Sequence, residues 1–105
     1  MREPCPVVLS PRASGHVDLI DAWWRIWRPA APELFAVELS AGLERLAAAP
    51  MIGLVCAGPG RLPLRRMLLR QTRYNIYYMV RPRLHRVDVV AVWHASRGKG
   101  PFSPG

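Results

Sequence analysis

Lysine is nearly missing from this chain: Lys99 stands alone among 15 basic residues. Acidic residues are also scarce, 7 in all, which leaves a formal charge of +8. The positive charge is therefore almost wholly guanidinium, the group that pairs bidentately with phosphates and carboxylates and stacks on flat rings. A phosphate polymer or an acidic protein is the expected class of partner. Only two cysteines occur, Cys5 and Cys56, without CxxC spacing, and the three histidines His16, His85 and His94 are scattered. No zinc set can be assembled from them, so no metal and no cofactor are expected, and free thiols are the default. Gly98-Lys99-Gly100 lacks the first glycine of a Walker motif and its strand-to-helix setting, which argues against nucleotide binding there. The N-terminal stretch has no signal-peptide core, and no apolar run approaches bilayer-spanning length. A cytoplasmic protein without membrane association is expected. With 105 residues there is room for one small core, hence a single domain over 1–105 whose short end, 98–105, is expected to be flexible.

What is present is organised around Arg61 to Arg97. Three segments rich in β-branched and aromatic residues are separated by Gln71-Thr72 and Pro82-Arg83-Leu84, the pattern of an antiparallel meander. Upstream, Val7 to Ser10 can form a short strand pairing with an edge of that meander. Ser10-Pro11 is a helix-start signal, and a first helix runs to about Trp27 with Ala13, Val17, Ile20, Trp24 and Trp27 on its apolar stripe. Leu19, Trp23 and Ile26 widen the stripe beyond what one side of a short helix usually buries. Part of it is a candidate partner surface, and burial of all three tryptophans in the core is the alternative. Pro29 and Pro32 break the helix. A second helix follows from about Glu33 to Ala48, with Phe35, Leu39, Leu43 and Leu46 buried and Gly42 placed to let the first helix approach. Leu54 to Gly60 reads as a loop.

Period-two alternation in the middle meander strand puts Tyr74, Ile76, Tyr78 and Val80 on a core face and Arg73, Asn75, Tyr77 and Met79 on the other. In the last strand Val87, Val89, Ala91 and Trp93 alternate with Asp88, Val90, Val92 and His94. Both sets are mostly apolar, as in a central strand. Arg65 and Arg66 are neighbours and must point to opposite faces, so one of them belongs to a basic surface shared with Arg73, His94 and Arg97. Tyr77 is the tyrosine placed for stacking or partner contact. The plainer reading of His94 is a strand-ending residue bonded to backbone, and Arg81, Arg83 and Arg86 can be a solvated turn.

The order of these pieces resembles the RelE/ParE family of bacterial type II toxins. The resemblance rests on a helical hairpin ending in Leu43-Glu44-Arg45-Leu46-Ala47 with Pro50 and Gly53, then Arg65-Arg66, Arg73-Tyr74 through Tyr77-Tyr78, and Val90-Ala91-Val92-Trp93-His94 with Arg97. It implies an α+β fold, β-α-α-β-β-β, with the helical hairpin packed on a small, mainly antiparallel sheet. It also implies a cognate antitoxin, acidic and partly disordered, forming a hetero-oligomer with the toxin, for which Trp23, Ile26 and Trp27 are the candidate contacts. RelE-like members are ribosome-dependent mRNA endoribonucleases. A reduced catalytic set here is Arg65, Arg73, His94 and Arg97, with His94 carrying proton transfer because arginine stays protonated. The chain departs from that branch at Asn75, at Ala95, in the lack of a lysine near Arg65, and in the lack of a tyrosine after the last strand. Trp93-His94-Ala95-Ser96-Arg97 resembles the ParE-like ending more closely. That branch implies inhibition of DNA gyrase without catalysis, with Arg65, Arg66, Arg73, Tyr77, His94 and Arg97 as target contacts. A non-catalytic nucleic-acid-binding module and an inactive relic are further alternatives.

Overall fold

The computed structural model describes residues 3–58, 60–97 and 100–102. Strand β1 (Val7–Leu9) leads into helices α1 (Pro11–Trp27) and α2 (Leu34–Ala48), followed by strands β2 (Leu54–Cys56), β3 (Leu64–Leu68), β4 (Tyr74–Arg81) and β5 (Arg86–His94). The sheet order is β1-β5-β4-β3-β2, with β1 parallel to β5 and every other pair antiparallel. The expected α+β arrangement is found, with one addition. Leu54–Cys56, read above as loop, is a strand along the outer side of β3. Three residues are too few to show an alternation in sequence, and the pairing is dictated by the open edge they cover.

Local signals explain the helix ends. Ser10 Oγ accepts the Ala13 N–H at 3.0 Å, and Pro11 occupies the first turn of α1. At the other end the Arg28 N–H donates to the Trp24 carbonyl, and Pro29 prevents continuation. One face of the sheet is covered by the helices. There Phe35, Leu39 and Leu46 of α2 and Ala13 of α1 pack on Met67, Leu69, Ile76, Tyr78, Val87, Val89 and Val92. Gly42 serves this interface rather than the contact with α1: a Cβ there would lie 2.8 Å from Leu69 Cδ2 and 3.1 Å from Met67 Cε. The sheet, not the first helix, needs the missing side chain.

Strict alternation fails in β5. Tyr77 is opposite Ala91 and Tyr78 is opposite Val89, so Val90 is an extra residue in the ladder. Val87 and Val89 face the helices, as does Val92, whereas Ala91 joins Leu64 and Tyr77 in a small cluster on the other face with Trp93 packed against it. The expected grouping of Ala91 and Trp93 with Val87 and Val89 is therefore inverted beyond Val90. A one-residue slip moves every following side chain to the opposite face.

The second face is not bare. Phe102 meets Tyr77 edge-on, with ring centroids 6.0 Å apart, and the Arg12 guanidinium sits 5.0 Å above Phe102 while donating to the Pro101 carbonyl. Residues 100–102 of the expected flexible end are thus packed on the sheet. Residues 98, 99 and 103–105, including most of the Gly98-Lys99-Gly100 stretch, lie outside the described residues.

The β3–β4 turn is held to α2 by one carboxylate. Glu38 accepts the Gln71 N–H at 2.7 Å, the Thr72 N–H at 2.9 Å and the Thr72 hydroxyl at 2.6 Å. Burial pushes the Glu38 carboxyl up, but the bonds from the Thr72 hydroxyl and the two amides outweigh it and hold the group below its ordinary range. A depressed folded pKa contributes stability that is present above the ordinary value near 4.5 and is lost as pH falls through the folded value. Glu38→Ala is expected to lower unfolding free energy by about 2 kcal/mol at neutral pH and to flatten the loss of stability between pH 5 and the acid range. Denaturant titrations at several pH values measure both.

Candidate functional site

Two grooves meet at the end of β5. The first, about 310 Å³, lies between α1 and the sheet and is lined by His16, Leu19, Ile20, Trp23, Tyr74, Val92, Trp93, His94 and Arg97. The second, about 540 Å³, opens on the face away from the helices and is lined by Cys56, Arg66, Asn75, Tyr77 and Phe102 together with the same Trp93, His94 and Arg97. Residues 93, 94 and 97 form the ridge between them. No carboxylate lines either groove among the described residues.

Register decides which arginine belongs here. Arg66 pairs with Tyr77 and faces the second groove, whereas Arg65 pairs with Tyr78 on the helix side. Arg65 donates to the Gly53 carbonyl at 2.8 Å and to the Met51 carbonyl at 3.3 Å, so its guanidinium ties down the loop before β2. The same loop is fixed by the Tyr78 hydroxyl, which accepts the Gly53 N–H at 2.8 Å. Arg73 is exposed in the β3–β4 turn in the left-handed region, φ 67°, and lines neither groove. Its contribution is through backbone: its N–H donates to Leu69, and its carbonyl accepts the Ala95 N–H at 2.7 Å, joining this turn to the end of β5. Arg81 and Arg86 at the far hairpin are paired with Asp88 at 2.9 and 2.6 Å.

Tyr77 does face away from the helices but is only 8% exposed, covered by Phe102. It is a floor of the second groove, not a free stacking platform. Arg97 lies 4.5 Å above the Trp93 ring, an arrangement that orders the guanidinium while leaving its N–H edge available. His94 stands edge-on to Tyr74 at 4.9 Å, and Tyr74 in turn packs on Phe35 at 5.2 Å. The His94 Nδ1 accepts the Ser96 N–H at 3.1 Å and lies 2.7 Å from Ser96 Oγ. With Nδ1 accepting, the neutral ring presents its other nitrogen as an N–H donor.

The partner-surface candidates on α1 split from the core. Trp23 is 40% exposed, Ile26 67% and Trp27 62%, with Leu19 at 74% beside them. Burial of all three tryptophans does not occur: only Trp24 packs against the core, and Trp27, expected on the buried stripe, points outward. Arg28 sits 4.8 Å over Trp23 and 5.9 Å from Trp24.

Three members of the site escaped the sequence reading. Asn75 stood out there only as a departure from a family pattern, yet it is buried at the second groove. Phe102 carried no local signal because its packing is entirely tertiary. His16 had one: it falls between Ala13 and Val17 on the inward stripe of α1, where a polar residue calls for a partner. No group of three or more His, Cys, Asp or Glu is placed to hold a metal ion among the described residues. No helix among them is long and apolar enough to cross a membrane.

A family model described as the ParE toxin of the type II toxin-antitoxin system parDE matches residues 7–98. The sequence matches no curated protein. Solved structures share the fold. A chain of the chromosomal ParDE system from P. aeruginosa superposes with a TM-score of 0.70 at 10% identity, over 88% of this chain and 97% of that one. The isolated E. coli RelE toxin gives 0.57 at 20% identity, over 90% and 88%. A chain of the intact E. coli RelBE toxin-antitoxin complex gives 0.58 at 21% identity, over 89% and 99%.

The opposed roles of Arg65 and Arg66 are separable by stability. Arg65→Ala is expected to cost about 1–2 kcal/mol through its two lost carbonyl bonds, whereas Arg66→Ala stays within about 0.5 kcal/mol of the parent. Thermal or denaturant unfolding of the two variants decides it.

Proposed function

Because the chain belongs to the family of ParE toxins of type II toxin-antitoxin systems, we propose that it arrests bacterial growth by inhibiting DNA gyrase in the cytoplasm. It does so as a non-catalytic ligand of its target. The observation that carries this reading is that, among the described residues, the ridge and second groove hold cations and donors, no carboxylate, and one imidazole that already accepts a backbone N–H. Cleaving RNA through its 2′-hydroxyl requires a group that takes the proton. His94 is the one candidate, and its Nδ1 is engaged by Ser96. The rest of the ribonuclease set does not converge: Arg65 is bonded to loop carbonyls on the helix side, and Arg73 lies in the turn outside both grooves. What remains on the second face is a recognition surface of Arg66, Asn75 and Arg97, floored by Tyr77 and edged by Phe102.

The exposed Leu19, Trp23, Ile26 and Trp27 of α1 support a second interface, for an acidic, partly disordered antitoxin segment that folds as it covers them. Arg28, stacked over Trp23, borders that face, so charge and apolar surface favour the same kind of partner.

Inducible expression in a bacterium tests the target. The expected outcome is growth arrest with filamentation, a DNA-damage response and intact transcripts, weakened at least tenfold in viability terms by Arg66→Ala or Arg97→Ala. Cuts in translated mRNA that vanish with His94→Ala would instead establish the ribonuclease. For the antitoxin face, Trp27→Glu is expected to leave arrest intact but to abolish rescue by the co-expressed cognate antitoxin. Rescue of that variant at the parent's level would remove α1 from the interface.

A further inference from the structure

β5 outruns its neighbour. β1 pairs with Val87 to Val89, whereas β5 continues to His94, and beyond Val89 no strand among the described residues lies along its outer edge. Side chains and backbone from the start of α1 replace the missing strand. The Ser10 N–H donates to the Val89 carbonyl at 2.9 Å, Ser10 Oγ to the Val90 carbonyl at 3.4 Å, and the Val92 N–H donates to His16 Nδ1 at 3.1 Å. The His16 ring also packs at 5.6 Å from Trp93, whose indole supports Arg97. A continuous stack therefore runs from α1 through His16 and Trp93 to Arg97, at the ridge on which both grooves depend.

We propose that His16 is a positioning residue for the target-contacting end of β5: its neutral imidazole stands in for the absent strand neighbour at Val92 and backs the Trp93–Arg97 stack. This rests on the gyrase reading only for its consequence in the cell; the positioning itself is a property of the free protein. Accepting the Val92 N–H requires an unprotonated Nδ1. The groups facing His16 are Arg12 on its own helix, Arg97 after β5, and His94 and Tyr74 across the first groove. None of them is an anion at neutral pH, so nothing there rewards an imidazolium. Burial first, then Arg12 and Arg97, hold the His16 pKa below the ordinary 6.5. The unfolded chain then binds the proton more readily than the folded one. Stability from this group is full above 6.5 and declines as pH falls from 6.5 through the folded value.

Two variants separate the acceptor from the ring. Asparagine can place its carboxamide oxygen near the Nδ1 position, and phenylalanine keeps a ring without an acceptor. Amide hydrogen exchange of the intact protein is expected to show Val92 exchanging at least tenfold faster in His16→Phe than in the parent. In His16→Asn it should stay within threefold of the parent, with the Ile76 amide unchanged in both as a control for global stability. Titration of the parent by NMR should move the Val92 amide and the Trp93 indole N–H together, at a midpoint below 6.5. Equal Val92 protection in His16→Phe and parent, or a Trp93 signal indifferent to the His16 titration, overturns the positioning role. If the parent does not inhibit gyrase, the functional reading fails while these measurements still decide the role of His16. If it does, inhibition should be retained by His16→Asn and reduced about tenfold by His16→Phe.

Discussion

One extra residue in β5 governs the rest of this structure. With Val90 left out of the pairing between Tyr77–Ala91 and Tyr78–Val89, the strand serves two cores in succession. Its first half presents Val87 and Val89 to the helices, and its second half returns Val92 to them while turning Ala91 and Trp93 outward. A bulge of this kind also strengthens local twist. Beyond the bulge, Trp93, His94 and Arg97 are shared by both grooves.

The energetic consequence is a division of labour among the arginines. Those with bonding partners hold the fold: Arg65 fixes the loop before β2, Arg12 holds Pro101 and Phe102, and Arg81 and Arg86 share Asp88. Asp88 is kept below its ordinary range first by its bond from Arg86, then by Arg81, against the cost of burial. Among the described residues, no carboxylate lines the grooves that Arg66 and Arg97 border. Positive charge without an internal counter-ion on a concave face is suited to binding an anionic or acidic target surface.

Much of this was legible in the residues. Ser10-Pro11 marked the start of α1, Pro29 its end, and the 3.6-residue spacing of Phe35, Leu39 and Leu46 marked the buried face of α2. The alternation of Tyr74, Ile76, Tyr78 and Val80 survived because β4 is regular. Three things were not legible, each for its own reason. β2 is three residues long, below the length at which a period can be read. The Val90 bulge leaves no mark in a run of Val-Val-Ala-Val, because both phases of the alternation are equally apolar. The packing of Phe102 on Tyr77 joins residues 25 apart in sequence, and the residues beside Phe102, Gly100 and Pro101, signal only a turn. The neighbouring arginines 65 and 66 were correctly read as pointing apart, but which of them faced the site depended on the register with β4.

The most direct test uses the purified protein in two parallel reactions, gyrase supercoiling of relaxed plasmid and translation of a defined mRNA. The expected result is inhibition of supercoiling with accumulation of cleaved DNA, and an mRNA that stays whole on the ribosome. Unimpeded supercoiling with translated mRNA cut in a His94-dependent way would contradict the reading of this face as one for recognition.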